Sequence, residues 1–260
     1  MIIKTLVAIN VGILTTIVSC VTTPETNRKQ FVAVSEGQMA TIGEDAWKEI
    51  QAKEQISNNK QTTAAVESIG RQIASASGKN FKWEFKLFES KDINAFCLPG
   101  GKVGVYTGIL SVAKNNAGLA AILGHEVAHA VARHSAERVT QSLVVAGVLI
   151  SVDKAMEDSG RKKMILAGLG LGAQFGVILP YSRFHESEAD SIGLTYAAKA
   201  GFDPREAPAF WQRISQNGGQ PPEFMSTHPN PGSRIKALES QMPSAMALYE
   251  KSQKIPTVAL

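Results

Sequence analysis

In the stretch GLAAILGHEVAHAVARHSAERV, two histidines and a glutamate stand among small and apolar residues. Residues four apart share one face of a helix, so His125 and His129 can aim two neutral ring nitrogens at a single metal ion. Glu126 is turned from His125 by about 100° of helix rotation. It therefore stands beside such an ion rather than facing it. That position suits a base that takes a proton from water activated by the ion and passes it to a leaving amine. The pattern is weak alone, but its flanks Leu119, Ile122, Leu123, Val127 and Val131 imply a buried helix. Burying these three polar side chains without partners costs on the order of several kcal/mol; a metal would satisfy them together. The alternative is a surface helix with an ordinary polar face.

A catalytic zinc site takes a third protein ligand and keeps one position for water. SRFHESEAD, residues 182–190, offers it. Glu186 and Asp190 are again four apart; Glu186 can ligate, and Asp190 can accept the far N–H of a ligating histidine. Glu188 is a rival ligand off that face; without HEVAH, an acidic first helical turn would be the preferred reading. The chain has five histidines. His134 lies off the ligand face and reads as structural or as support behind a ligand. His185 and Arg183 are weak candidates for stabilising an oxyanion, and His228 sits in the turn-rich STHPNPGSR. The only cysteines are Cys20 and Cys97. With no base placed beside it, Cys97 reads as a small core residue, and no disulfide framework supports the fold.

These residues need elements to hold them. Ser35 and Gln38 form a candidate capping box for a first helix running through Trp47 and Ile50. Residues 63–73 carry helical spacing toward a stop near Gly78. FKWEFKLF alternates as a half-buried strand, and INAFCLPGGKVGVYTGIL adds two strand candidates about a Pro-Gly-Gly turn. A small antiparallel sheet is the economical arrangement. Residues 117–139 read as one helix carrying the motif. The apolar runs 143–152 and 164–179 fall short of the roughly 18 apolar residues of a membrane span. They read as a buried helical hairpin, the alternative being one that dips into a bilayer. A helix over 182–200 stops at Gly201, and Asp203–Glu206 and Asn230–Pro231 look like further helix starts. The fold class is mainly α with a small antiparallel sheet (α+β).

MIIKTLVAINVGILTTIVSC has the single Lys4 and the apolar body of a secretory signal. Its end, Ile17-Val18-Ser19-Cys20, resembles a bacterial lipobox, which implies a lipid on Cys20; Val21 in the next position looks like an outer-membrane address. Residues 1–19 are then a signal peptide, 20–34 a lipidated cysteine and polar tether, and 35–260 a single domain. Net charge is +4 with scattered basic residues, which gives no footprint for nucleic acid.

HEVAH followed by an ExxxD helix resembles a gluzincin metallopeptidase. INAFCLPGGKVGVYTGIL, LAAILGHEVAHAVARH, YSRFHESEADSIGL and STHPNPGSRI are similar, in that order, to the HtpX/BepA-like zinc peptidases, relatives of the CAAX prenyl proteases. The lipobox points to a periplasmic branch. The resemblance implies one Zn2+ per chain on His125, His129 and Glu186, with Glu126 as base and Asp190 behind the ligands. It implies that Gly101, Lys102, Val103, Gly104, Val105 and Tyr106 are an edge strand for an extended peptide, and that His228 is a fourth ligand or a plug. The expected function is a zinc endopeptidase cleaving unfolded or misassembled envelope proteins. It would be lipid-anchored at the bacterial outer membrane, facing the periplasm, with the outer-membrane assembly machinery as a partner. A periplasmic chaperone with structural zinc is the reading from another class; Glu126 argues against it, since structural zinc needs no base.

Overall fold

The computed structural model describes residues 19–145, 159–166, 182–216, 223–228 and 231–260. The apolar leader before residue 19, residues 146–158 and 167–181 of the expected hairpin, and Asn230 lie outside them. Among the described residues no helix is long and apolar enough to cross a membrane.

The stretch read as a polar tether is an ordered ribbon. β1 (Ser19–Thr22) pairs antiparallel with β2 (Lys29–Val32), Cys20 opposite Phe31. Alternation explains it: Gln30 and Val32 are buried against the body while Lys29 and Phe31 face out. The Gln30 amide donates to the Ala132 carbonyl at 2.8 Å, and the Ala33 N–H donates to the Thr140 hydroxyl at 3.0 Å. α1 (Glu36–Lys53) starts at the Ser35–Gln38 capping box, and α2 (Lys60–Ser77) ends at Gly78 in the left-handed conformation, φ 65°.

β3 (Glu84–Phe88), β4 (Ala95–Leu98) and β5 (Lys102–Tyr106) form a sheet of order β3-β5-β4, with β3 parallel and β4 antiparallel to β5. The sheet is thus mixed rather than antiparallel. The strand expected at an edge, Gly101 to Tyr106, supplies its centre. Every residue of β5 is buried, as a strand covered on both faces and both sides must be. The hairpin places this strand, and not β4, against β3. The turn joining β4 to β5 needs its glycines: Gly100 and Gly101 take φ of 85° and 89°, values that cost other residues strain.

After α3 (Thr107–Ala113) comes the motif helix α4 (Asn116–Val131). It is shorter than expected. The chain breaks at Ala132–Arg133, where Arg133 takes φ 59°, and restarts as α5 (His134–Val145). Then follow α6 (Ser159–Leu166), α7 (Arg183–Lys199), α8 (Glu206–Gln216), α9 (Glu223–Thr227) and α10 (Pro231–Lys251). Among the described residues the architecture is mostly helical with two small sheets, and α4 is its axis. Leu119, Leu123 and Val127 are fully buried among α2, the sheet, α7 and α8. Among the described residues, α4 packs most extensively against α7. They cross where Gly124 faces Gly193; a Cβ on Gly193 would lie 2.6 Å from the His125 nitrogen.

Candidate metal centre

The α4–α7 crossing brings the two sequence motifs together. Ser182 caps α7 by accepting from the His185 N–H, which starts the helix so that Glu186 and Asp190 face α4. His125, His129, Glu186 and His228 each offer one ligand atom, all within 4.8 Å of one another. His125 Nε2 lies 3.0 Å from His129 Nε2 and 3.1 Å from His228 Nδ1. Glu186 oxygens lie 3.0 Å from His228 Nδ1, 3.3 Å from His129 Nε2 and 3.5 Å from His125 Nε2. Ligands about 2.0–2.1 Å from a tetrahedral zinc would be separated by about 3.3 Å, so these spacings fit a single cation at their centre. All four side chains are buried, as is Glu126.

The surroundings sort the roles. Asp190 Oδ1 is 3.0 Å from His125 Nδ1; taking that hydrogen leaves Nε2 to face the centre. Asp190 also receives Arg234 Nε at 2.6 Å and Nη2 at 2.5 Å, while Arg234 Nη1 donates to Glu186 at 2.5 Å. The guanidinium lies 3.5 Å over the Trp211 ring. Glu126 Oε1 is buried, accepts no hydrogen bond among the described residues, and lies 3.6 Å from His228 Nε2. Phe224 stacks on His228 with centroids 4.5 Å apart. This stack holds the end of α9 over the centre.

Burial raises the Glu126 carboxyl above the usual range, strengthening it as a base. Burial would lower the His125 ring, but its bonds to Asp190 and Glu186 outweigh that and raise it to about 9. His129 goes the other way: burial, then the charge of His125, drives it well below the ordinary value. Glu186 is held well below the usual range despite burial by its neighbours His228 and Arg234 and by hydrogen bonds from His125 and His129.

Of the remaining expected residues, His185 faces away, its Nε2 3.1 Å from Glu137. Glu188 is no ligand of this cluster; it binds His134 at 3.0 Å and Arg28 at 2.8 Å. Cys97 is buried in β4, where its surroundings push the thiol up. Lys102 to Tyr106 lie inside the sheet, so the strand edge nearest α4 belongs to β4. Arg234 and Phe224 carry no local sequence signal of a role at this centre. Arg234 lay inside a quoted motif, yet its partner Asp190 is 44 positions upstream, beyond any local spacing rule.

Residues 60–242 match peptidase family M48. The mitochondrial metalloendopeptidase OMA1 of Schizosaccharomyces pombe is 37% identical over 236 residues, covering 88% of this chain and 68% of that protein. The protein of the same name from Arabidopsis thaliana is 35% identical over 85% of this chain and 45% of its own length. The beta-barrel assembly-enhancing protease of Yersinia pestis is 29% identical over 82% of this chain and 46% of its own. The chain therefore spans less than half the length of the last two. The mitochondrial names overturn the outer-membrane lipoprotein address read from residues 17–21; four residues ending in Cys20 carry too little information to fix a compartment. The family match, the relatives and the buried His–His–Glu cluster agree: this chain belongs to peptidase family M48 and is a metalloendopeptidase.

Proposed function

We propose that the metal is zinc, held by His125, His129 and Glu186, and that the protein cuts unfolded or misassembled polypeptides from a latent state closed by His228. The observation that carries this is the meeting of two imidazole nitrogens and a carboxylate from separate helices, with an unpartnered Glu126 oxygen beside them. Imidazole-rich sets with one carboxylate suit zinc. Zinc held there would lower the pKa of a water to about 7 and polarise a peptide carbonyl.

The chain's own groups do the rest. Asp190 fixes the His125 ring, and Arg234 holds both acidic residues of α7 in place. Glu126 accepts the proton of the attacking water at its free oxygen and delivers it to the leaving amine. His228 Nδ1 stands 3.1 Å from His125 Nε2 and 3.0 Å from Glu186, where a fourth ligand would stand, so it competes for the place water needs. The Phe224 N–H donates to the Ile93 carbonyl at 3.2 Å, which lays this segment across the approach to the β4 edge. Once it moves, an extended backbone can pair with that edge whatever its side chains. That favours unfolded substrates. A relative named for enhancing β-barrel assembly supports misassembled ones.

The test is casein cleavage by the parent, Glu126→Gln and a chelated sample, with metal analysis of the parent. Cleavage is expected only in the parent, with zinc near one per chain; equal residual activity in all three sinks the reading. His228→Ala is expected to cleave faster than the parent, and unchanged or lower activity removes the plug.

A further inference from the structure

Resting on the metal reading above, we propose that Glu188 and His134 form a positioning relay. It fixes the tautomer and orientation of His129 and so sets the metal affinity of the centre, with the β1–β2 turn as its outer anchor. His129 Nδ1 lies 2.9 Å from His134 Nδ1. Two ring nitrogens at that distance share one hydrogen, so one donates and the other accepts. The far end decides which. His134 Nε2 lies 3.0 Å from Glu188 Oε2, and Glu188 also receives Arg28 Nε at 2.8 Å, the Thr23 hydroxyl at 3.2 Å and the Thr26 hydroxyl. A carboxylate surrounded by donors accepts from His134 too. His134 Nε2 thus carries the hydrogen and its Nδ1 accepts. It follows that His129 Nδ1 donates, and its Nε2 lone pair faces the centre.

The two metal histidines are therefore supported differently. His125 reaches its carboxylate, Asp190, directly; His129 reaches Glu188 through a second ring. The device depends on the helix break. In a continuous helix residue 134 would lie about 140° round from residue 129, and the left-handed Arg133 brings it back. His134 is fully buried, and the His185 ring stacks on it at 4.5 Å. Glu137 holds His185 at 3.1 Å, and Arg28 bridges Glu137 at 3.0 Å and Glu188. The ribbon that reads as a tether in the sequence is thereby an outer wall of the centre.

The test is the affinity of the purified full chain for zinc and for cobalt, by competition with a chromophoric chelator. The unfolding midpoint of the metal-free protein checks the fold. His134→Leu removes the acceptor and is expected to bind about 10–100-fold more weakly. His134→Asn places Oδ1 where Nδ1 lies and is expected to stay within about threefold of the parent, with the parent's cobalt absorption spectrum. Glu188→Ala is expected to lose about tenfold. Equal affinities for Leu and Asn, both parental or both weak, overturn the relay. If the Leu protein does not fold, Asn and Glu188→Ala decide: parental affinity for Asn with a weak Ala supports the relay, and any other pairing overturns it. A parent that takes up neither metal refutes the metal centre itself; a parent that binds while Leu and Asn agree refutes only the relay.

Discussion

Gly193→Ala is a small change far along α7 from Glu186, yet it should disturb the centre. The new methyl would lie 2.6 Å from the His125 backbone nitrogen and 2.7 Å from the Gly124 carbonyl carbon. Ordinary contact begins near 3.4 Å, so α4 and α7 must part by about 0.8 Å at this level. Neither neighbour can yield cheaply, since both atoms are helix backbone. Glu186 lies two turns earlier on the same face of α7, and a helix transmits such a shift as a rigid rod. Overpacking of this kind costs about 1–3 kcal/mol. A displacement near 1 Å of a positioned catalytic group costs about 100-fold in rate.

Denaturant unfolding of the metal-free protein should therefore show a loss of about 2 kcal/mol, and casein kcat/KM should fall about 10–100-fold. Gly37→Ala is the control, because nothing lies within 4 Å of the added atom; it should leave activity unchanged and stability level or slightly higher. If Gly193→Ala matches the parent in both stability and kcat/KM, the glycine crossing does not set the ligand geometry, and the reasoning fails.

Other substitutions separate chemistry from architecture. Glu126→Gln should lose about 100- to 10,000-fold in cleavage while keeping metal affinity within threefold or so of the parent; a matched loss of both would make Glu126 a structural residue. Arg234→Met leaves Asp190 and Glu186 buried without their cation and should cost about 3–5 kcal/mol in denaturant unfolding of the metal-free protein. An unchanged midpoint would remove Arg234 from the support of the centre. Chelation should abolish cleavage and lower the melting temperature, since a ligand at 100 times its Kd stabilises by about 2.7 kcal/mol; scanning calorimetry before and after adding zinc back checks it.

Local signals made most of this molecule legible. The capping box at Ser35, the stop at Gly78 and the Pro-Gly-Gly turn are each written within four or five residues, and each appears in the fold. The same holds for the spacing that puts His125 with His129 and Glu186 with Asp190. What failed was nonlocal. Strand order within the sheet depends on which hairpin strand meets β3, and nothing in KVGVY states it. The break at Arg133 has no glycine or proline to announce it; the Gln30 amide donating to the Ala132 carbonyl and the Arg133 guanidinium donating to the Val34 carbonyl hold it instead. Arg234 found its partners only once α10 had packed beside α7 and α8.

Charge explains why so polar a centre can sit inside an apolar core. Glu126, Glu186 and Asp190 are buried with a single buried guanidinium, Arg234, among them. With the carboxylates ionised and the histidines neutral, three negative charges meet one positive charge. A deficit of two is costly in a low-dielectric interior. Without a metal, protons make up part of it, which is why burial raises Glu126 and carboxylate bonds raise His125. A divalent cation held by these residues would cancel the deficit and leave Glu126 and His125 free of those protons. Arg234 thus reduces the deficit a bound cation would have to offset: with two such cations it would be one, and with none it would be three. The buried charge set thus favours a divalent cation alongside the ligand atoms, and Arg234, outside the motif helix, is part of that balance.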